Sequence, residues 1–170
     1  MTLFQEVYNN FLGRITEDMY MEYTPRDTKR DCQSLLISAM SSFEFPRFNV
    51  FDYQIEEIVE NNEGDFEDRS YFNADLTLEE ITILAVLMMI EWLGRQINSC
   101  ENIRQKYSSA DFKFTSQAAH LAQLTKLQEE NLKHSTHLQR LYKRRIHDSS
   151  TNRIKSNWSN LFGKNVGNSI

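Results

Sequence analysis

Residues 81–93 form the longest apolar stretch of the chain, and only two polar residues interrupt it. A helix that is apolar on every side must be covered by other elements. Thr77 and Glu80, just before the stretch, have the spacing of a capping box, in which each side chain bonds a free backbone N–H at a helix start. The stretch is too short for a membrane span, which takes roughly 20 apolar residues. The pattern therefore predicts a long, buried central helix over residues 76–107.

Two shorter amphipathic helices are predicted before the central one. Thr2 and Gln5 have capping-box spacing, and apolar residues then recur every three or four positions. Residues 24–27 (Thr-Pro-Arg-Asp) combine an N-cap, a proline in the first turn and an acid three residues after the cap. The second helix should end near Ser42, because Pro46 disfavours the helical conformation of the residue before it.

The hydrophobic period changes after residue 46. Residues 48–55 alternate and are rich in β-favouring side chains, and residues 66–72 could return as a second strand after the turn signal at 61–64 (Asn-Asn-Glu-Gly). A two-stranded ribbon alone is marginal in water, so this one must lie against the helices or another chain. Its many acidic residues argue against burial in the hydrophobic core. We expect a projecting acidic β-hairpin or extended loop at about residues 47–73.

The second half of the chain predicts one more long helix and a tail. Residues 107–115 break the helical pattern, and Phe112 and Phe114 would point the same way in an extended segment. A half-exposed helix then begins near Thr115 or Ser116 and should lie antiparallel to the central one. From residue 148 the Ser- and Asn-rich composition predicts a tail that is flexible or becomes ordered on a partner.

These elements together predict a mainly α fold. It would be a helical bundle around a long buried central helix, with a small acidic β-hairpin or loop and a flexible C-terminal tail. A chain of 170 residues fits a single domain. We assign residues 1–147 to that domain and residues 148–170 to the tail.

Charge is distributed unevenly along the chain. The 24 acidic and 19 basic residues make it mildly acidic overall, so no global basic excess indicates nucleic-acid binding. Residues 44–80 hold twelve acids against two arginines, whereas residues 140–170 hold seven basic residues against one acid. The two regions could be solvated independently. Alternatively, they could be complementary surfaces of neighbouring copies, where charge sets register and association rate.

The sequence contains no motif for catalysis or metal binding. His134 and His137 are three residues apart on a helix, with His120 upstream, but no acid or cysteine stands at a spacing that completes a metal site. The acids between residues 52 and 68 lack the pattern of a calcium loop. A phosphate loop, a Gly-x-Ser-x-Gly elbow and a Cys/His nucleophile pair are also missing. We predict surface histidines, no enzyme activity and no cofactor.

A few isolated residues allow narrower expectations. Glu91 interrupts the apolar run and should lie at the edge of the core or pair with Arg95. Cys100 should be a packed apolar residue. With Cys32 it makes too few cysteines for a disulfide framework, which favours a reducing compartment. The N-terminus lacks the basic region of a secretory signal, so we expect synthesis in a cytoplasm.

Four segments resemble small head-to-tail connector proteins of tailed bacteriophages, especially phages of low-GC Gram-positive bacteria. The central helix supplies Leu-Thr-Leu-Glu-Glu-Ile-Thr-Ile-Leu-Ala (76–85) and Met-Ile-Glu-Trp-Leu (89–93). The second half supplies Tyr-Ser-Ser-Ala-Asp-Phe-Lys-Phe-Thr-Ser-Gln (107–117) and Leu-Tyr-Lys-Arg-Arg (141–145). The likeness covers residues 76–145. It does not explain the acidic hairpin or the C-terminal tail that carries Trp158 and Phe162.

The resemblance implies a virion structural protein of the phage neck, made in the host bacterial cytoplasm. Such subunits form a ring, commonly of twelve copies, between the portal and the tail or stopper proteins. DNA passes through without specific binding, and no membrane is involved. A tail-completion or stopper protein of the same neck remains an alternative, as does a small cytoplasmic nucleic-acid-associated helical protein.

Exposed aromatic residues and charge clusters indicate where partners would bind. The predicted partner interface consists of Phe112, Phe114, Arg144, Arg145, Arg153, Trp158, Leu161 and Phe162. The predicted acidic region, facing either the channel or a neighbouring copy, consists of Glu56, Glu57, Glu60, Asp65, Glu67 and Asp68.

Overall fold

The computed structural model describes residues 1–15, 20, 23–61, 64–106, 115–148 and 153–156. These residues form four helices and seven short strands and confirm a mainly α fold with small antiparallel sheets. The helices are Phe4–Leu12 (α1), Pro25–Met40 (α2), Leu78–Lys106 (α3) and Thr115–Arg144 (α4). The strands are Thr2–Leu3 (β1), Tyr53–Gln54 (β2), Ile58–Glu60 (β3), Phe66–Asp68 (β4), Tyr71–Phe72 (β5), Arg145–Asp148 (β6) and Arg153–Ser156 (β7).

Helix α3 is the predicted central helix. The side chains from Ile83 to Met88 are at most 3% exposed, and α1, α2 and α4 all contact α3. The capping box is also confirmed. The backbone N–H of Thr77 donates to Glu80 Oε2 at 2.7 Å, and the N–H of Glu80 donates to Thr77 Oγ1 at 3.3 Å. An apolar run without a polar face is therefore buried on all sides.

Helix α2 begins where the sequence predicts. Thr24 is its N-cap, and its Oγ1 accepts a hydrogen bond from the N–H of Asp27 at 3.1 Å. Pro25 occupies the first turn, where its missing N–H costs nothing. The helix ends at Met40, close to the predicted end at Ser42.

The predicted capping box of α1 is wrong. Thr2 belongs to strand β1 and pairs with Phe72, while its hydroxyl accepts from the N–H of Leu76 at 2.8 Å. The side chain that reaches back to the start of α1 is Glu6, whose Oε1 accepts from the N–H of Leu3 at 3.4 Å. The chain start is thus recruited into a sheet, a non-local pairing that local spacing does not reveal.

The predicted hairpin is present in a shorter form. Strands β3 and β4 pair antiparallel from Ile58↔Asp68 to Glu60↔Phe66, and Gly64 in the turn has a φ of 80°. Strand β5 joins a different sheet, in the order β1-β5-β2. The long strand expected over residues 48–55 shrinks to β2. Phe48 packs instead against the rings of Phe43 and Phe72, at centroid distances of 6.1 and 6.0 Å.

Helix α4 lies antiparallel to α3, as predicted. Near the start of α3, the Tyr142 hydroxyl of α4 donates to Glu80. Further along α3, Gln128 Nε2 donates to the carbonyl of Ile90 at 3.4 Å. Contacts that join late residues of one helix to early residues of the other define antiparallel packing.

Strands β6 and β7 form a hairpin directly after α4, from Arg145↔Ser156 to Asp148↔Arg153. The predicted boundary between the domain and its tail, at residue 148, falls inside this hairpin. Polar composition alone does not reveal such a pairing, because the hydrogen bonds that form it join backbone groups.

Glu91 lies at the half-buried edge of the core, which is the first of its two expected placements; Arg95, the partner in the alternative placement, pairs elsewhere. Arg95 Nη1 donates to Asp31 Oδ1 at 2.8 Å, and Nη2 donates to Ser34 Oγ at 3.1 Å. Asp31 of α2 is therefore a better-placed carboxylate for Arg95 than Glu91, which lies one turn earlier in α3.

Asp68 is the one predicted acidic-region residue that is buried. It is 3% exposed, and its carboxylate accepts from Tyr8 Oη at 2.7 Å, Gln33 Nε2 at 3.2 Å and the N–H of Ser70 at 2.9 Å. The prediction that it faces a channel or a neighbouring copy is wrong. Three donors compensate for the buried charge and connect β4 to α1 and α2. Burial, reinforced by this carboxylate, raises the pKa of Tyr8 above its ordinary value.

Replacing this carboxylate tests its role in stability. We expect Asp68→Ala to lower the free energy of unfolding by about 3 kcal/mol, because buried donors would lose their acceptor. Urea denaturation followed by circular dichroism measures the change. Glu57→Ala removes an exposed acid nearby and should shift the free energy of unfolding by no more than about 0.5 kcal/mol. An equal decrease in the free energy of unfolding of the two variants would contradict the stabilising role assigned to Asp68.

Candidate functional site

Exposed carboxylates are concentrated in residues 51–67, which we call the acidic segment. Among its described residues, the exposed acids are Asp52, Glu56, Glu57, Glu60, Asp65 and Glu67. The salt bridge found for this segment in the described structure joins Glu67 to Arg69 at 3.8 Å, with both side chains more than half exposed. Such an exposed ion pair contributes little to the stability of the fold. The acidic segment therefore keeps most of its negative charge available to a partner.

Large apolar side chains are exposed among these acids. Phe51 is 64% exposed, Ile55 54% and Val59 36%. Single exposed apolar residues are ordinary, but three of them within nine residues of one acidic segment suggest a contact surface. A partner that covers these side chains would bury apolar surface and pair with the neighbouring acidic charges in the same contact.

Within the part of the chain that the structure describes, the strands of the acidic segment have unpaired edges. Strands β3 and β4 form a two-stranded sheet, and β2 lies at the end of the order β1-β5-β2. Both β3 and β4 contact helix α2, which supports this small sheet on one side. An edge strand presents a row of free backbone donors and acceptors that another strand can pair with.

The opposite charge is exposed at the end of α4. Arg140, Lys143 and Arg144 are exposed, and the Lys143 ammonium lies 3.9 Å from the ring centroid of Phe45. Strand β7 adds Arg153 and Lys155 to the same stretch of chain. We call residues 140–156 the basic end. Within the described structure, none of the salt bridges joins it to the acidic segment.

Arg145 has a structural role that the sequence did not predict. Its Nη1 donates to Glu79 Oε1 at 2.8 Å, and its carbonyl accepts from the Arg47 guanidinium. Arg47 also donates to the Tyr142 carbonyl at 2.5 Å, and its Cζ lies 4.2 Å from the centroid of the Tyr142 ring. Arg145 thus joins the end of α4 to the start of α3. Its side chain remains 39% exposed, and its place in a partner interface stays a prediction.

The predicted site residues are only partly brought together. The exposed members of the acidic segment are grouped on β3, β4 and the chain before them, whereas Asp68 is buried and Arg145 is paired internally. Arg144 is exposed, and Arg153 begins β7. The remaining predicted interface residues lie outside the described residues; they are Phe112, Phe114, Trp158, Leu161 and Phe162.

The histidines and cysteines of the described structure form no reactive cluster. His120, His134 and His137 are exposed, as predicted. No group of three His, Cys, Asp or Glu among the described residues could hold a metal ion. Cys32 is buried and Cys100 half-buried, and both are free thiols. Burial raises the pKa of the Cys32 thiol to about 12.

Sequence reasoning missed one pocket. A cavity of about 340 Å³ lies between the end of α1, the middle of α3 and α4, and Arg14, Trp92 and Leu124 are among its lining residues. Trp92 Nε1 is buried and has no hydrogen-bond partner within the described structure. None of the predicted site residues that the structure describes lines this cavity. The sequence signal was a tryptophan inside the apolar run of the central helix.

Comparison with known proteins did not identify the chain. It matches no protein-family model, and it has no significant match among curated proteins or solved structures. Within the described residues, none of the helices combines the length and hydrophobicity needed to cross a membrane.

Thiol labelling tests the burial of Cys32. The thiolate is the reactive form, and a thiol whose pKa lies near 12 holds almost none of it at pH 8. In a Cys100→Ser variant, we expect Cys32 to react with a chromogenic disulfide about 100-fold more slowly than in the same variant unfolded in guanidinium chloride. In the matching Cys32→Ser variant, the labelling rate is that of Cys100 alone. Equal labelling rates for native and unfolded Cys100→Ser protein would show that the thiol is accessible.

Proposed function

We propose that this chain is a virion structural protein, a subunit of the head-to-tail connector ring of a tailed bacteriophage. It would join the portal to the tail and extend the DNA channel, with no catalytic activity. The mainly α fold is compatible with this role, and the resemblance of residues 76–145 to connector proteins suggested it.

The presence of two exposed, oppositely charged surfaces that are not paired with each other carries the proposal. Within the described part of one copy, Glu67 pairs with Arg69 and Arg145 with Glu79, but no salt bridge joins the acidic segment to the basic end. A ring is built from heterologous contacts, in which one patch of a subunit binds a different patch of the next. Charge complementarity between such patches sets register and favours fast association. The exposed Phe51, Ile55 and Val59 add apolar area to the same contact.

Two other functions are compatible with parts of this description. A tail-completion or stopper protein of the same neck would use the same surfaces against other partners. A small nucleic-acid-associated helical protein would use the exposed Arg140, Lys143 and Arg144 to bind phosphates. The many exposed acids would repel the same polyanion, and this favours the ring.

Mixing with the portal tests the assignment directly. We expect light scattering to find a small species for the protein alone and a ring-sized complex after addition of the portal protein from the same virus. A protein that ignores the portal and binds DNA with a steep salt dependence would contradict the proposal. A complex formed with tail proteins but not with the portal would favour the stopper role.

Charge reversal tests which surfaces meet. Replacing Glu56, Glu57 and Glu60 by lysine should weaken assembly with the portal at least about tenfold, because like charges would face each other across the contact. Replacing Arg140, Lys143 and Arg144 by glutamate in the same chain should restore much of the loss. The measurement is the subunit concentration at half-assembly, at low and high salt, since screening should shrink the effect.

A charge-matched control separates this contact from net charge. Lysine at Glu101, Glu129 and Glu130, three exposed acids on α3 and α4, changes the total by the same amount. We expect this variant to assemble as the parent does. An acidic segment that lines the channel would give a different result, namely unchanged assembly and new DNA binding by the first variant.

A further inference from the structure

Two small sheets in this molecule are incomplete. Strands β3 and β4 form one two-stranded sheet, and β6 and β7 form another. A two-stranded sheet alone is at best marginally stable in water, and further strands or packing against a helix stabilise it. The first sheet packs against α2, and each sheet can be extended by a further strand at its free edge.

The free edge of the first sheet is β3. Strand β4 contacts α1 and α2, so it forms the inner strand of the hairpin. The N–H of Asn61 donates to the carbonyl of Asp65 at 2.7 Å. Because hydrogen-bonded and non-bonded pairs alternate along an antiparallel ladder, the N–H of Val59 is also directed at β4. The N–H groups of Ile58 and Glu60 are then directed at the open edge.

Among the described residues, β7 is the free edge of the second sheet. Strand β6 continues directly from α4 and contacts it, while β7 pairs with β6 alone among the described strands. The sequence of β7 is Arg-Ile-Lys-Ser (153–156), and that of β3 is Ile-Val-Glu (58–60) with Glu56 and Glu57 before it. One edge is basic and the other acidic, and each carries an apolar residue next to its charges.

We propose that β3 of one copy pairs with β7 of a neighbouring copy, which joins two hairpins into one four-stranded intermolecular sheet. The register that places Val59 opposite Ile154 also places Glu60 opposite a basic residue. That residue is Arg153 if the strands are antiparallel and Lys155 if they are parallel. Cross-strand apolar and opposite-charge pairs each stabilise a sheet. The inference rests on the proposed ring and names its intersubunit contact.

This contact is heterologous, because it uses different strands of the two copies. After the first contact, the copy that used β3 keeps its free β7 edge and the copy that used β7 keeps its free β3 edge, so the pairing can repeat from copy to copy. Repeated contacts close into a ring where the rotation between subunits allows it. The charged side chains on both edges oppose pairing of β3 with β3 or β7 with β7, since like charges would then face each other.

Disulfide trapping between two separately purified variants tests this pairing. Val59→Cys and Ile154→Cys are each made in a Cys100→Ser background, which leaves the buried Cys32 as the remaining thiol. Val59 occupies a non-hydrogen-bonded position relative to the open edge. If the two strands are antiparallel, opposed Cα atoms at such a position are about 4.5 Å apart, within the range of a disulfide. We expect mild oxidation of the mixture, with the portal present, to give a disulfide-linked dimer about tenfold faster than either variant gives alone.

A matched control uses Leu132→Cys, which introduces a thiol at an exposed position on α4. Mixed with Ile154→Cys, it should cross-link no faster than random collision allows. A chain carrying both Val59→Cys and Ile154→Cys should form ladders of linked subunits. A disulfide closed within a single chain of that double variant would overturn the proposal.

The outcomes separate this contact from the proposed function. Portal-dependent assembly without the Val59–Ile154 cross-link overturns the strand pairing and leaves the connector role standing. A specific cross-link in a protein that ignores the portal supports the pairing and contradicts the connector role. Absence of both the cross-link and the portal complex contradicts both.

Discussion

The rest of the structure depends on the burial of residues 81–93, the apolar part of α3. Its apolar first half has no face that can contact water, so other elements must cover it completely. Helices α1, α2 and α4 each contact it, and the aromatic residues after α2 extend the cover. A Leu, Ile, Val or Met side chain contributes about 1.5–3 kcal/mol when fully buried. This one helix therefore determines where the others lie.

Two buried carboxylates then attach the peripheral elements to that core. Asp68 receives three hydrogen bonds and holds the hairpin against α1 and α2. Glu80 caps α3 and also accepts from the Tyr142 hydroxyl at the end of α4. Burial, together with this hydrogen bond, raises the pKa of Tyr142. Each carboxylate would be costly without its donors, so the pairings specify one arrangement of the chain.

The periphery contrasts with this fully bonded interior. Strands β3 and β7 keep unpaired edges, and the exposed charges of the acidic segment and the basic end are not neutralised by each other within the described part of one copy. An interior that fixes the fold by itself leaves these surfaces available for other molecules. Assembly through complementary edges and charges would satisfy both requirements together.

The sequence by itself determined the helices, the cap of α2, the cap of α3 and the turn at Gly64, because these follow from contacts between residues a few positions apart. It also located most of the exposed acids. Only the tertiary structure decided that Thr2 joins a sheet, that Asp68 is buried and that Arg145 pairs with Glu79. Those outcomes depend on partners tens of residues away. Local spacing carries no information about which distant donor or acceptor will be nearest once α3 is covered.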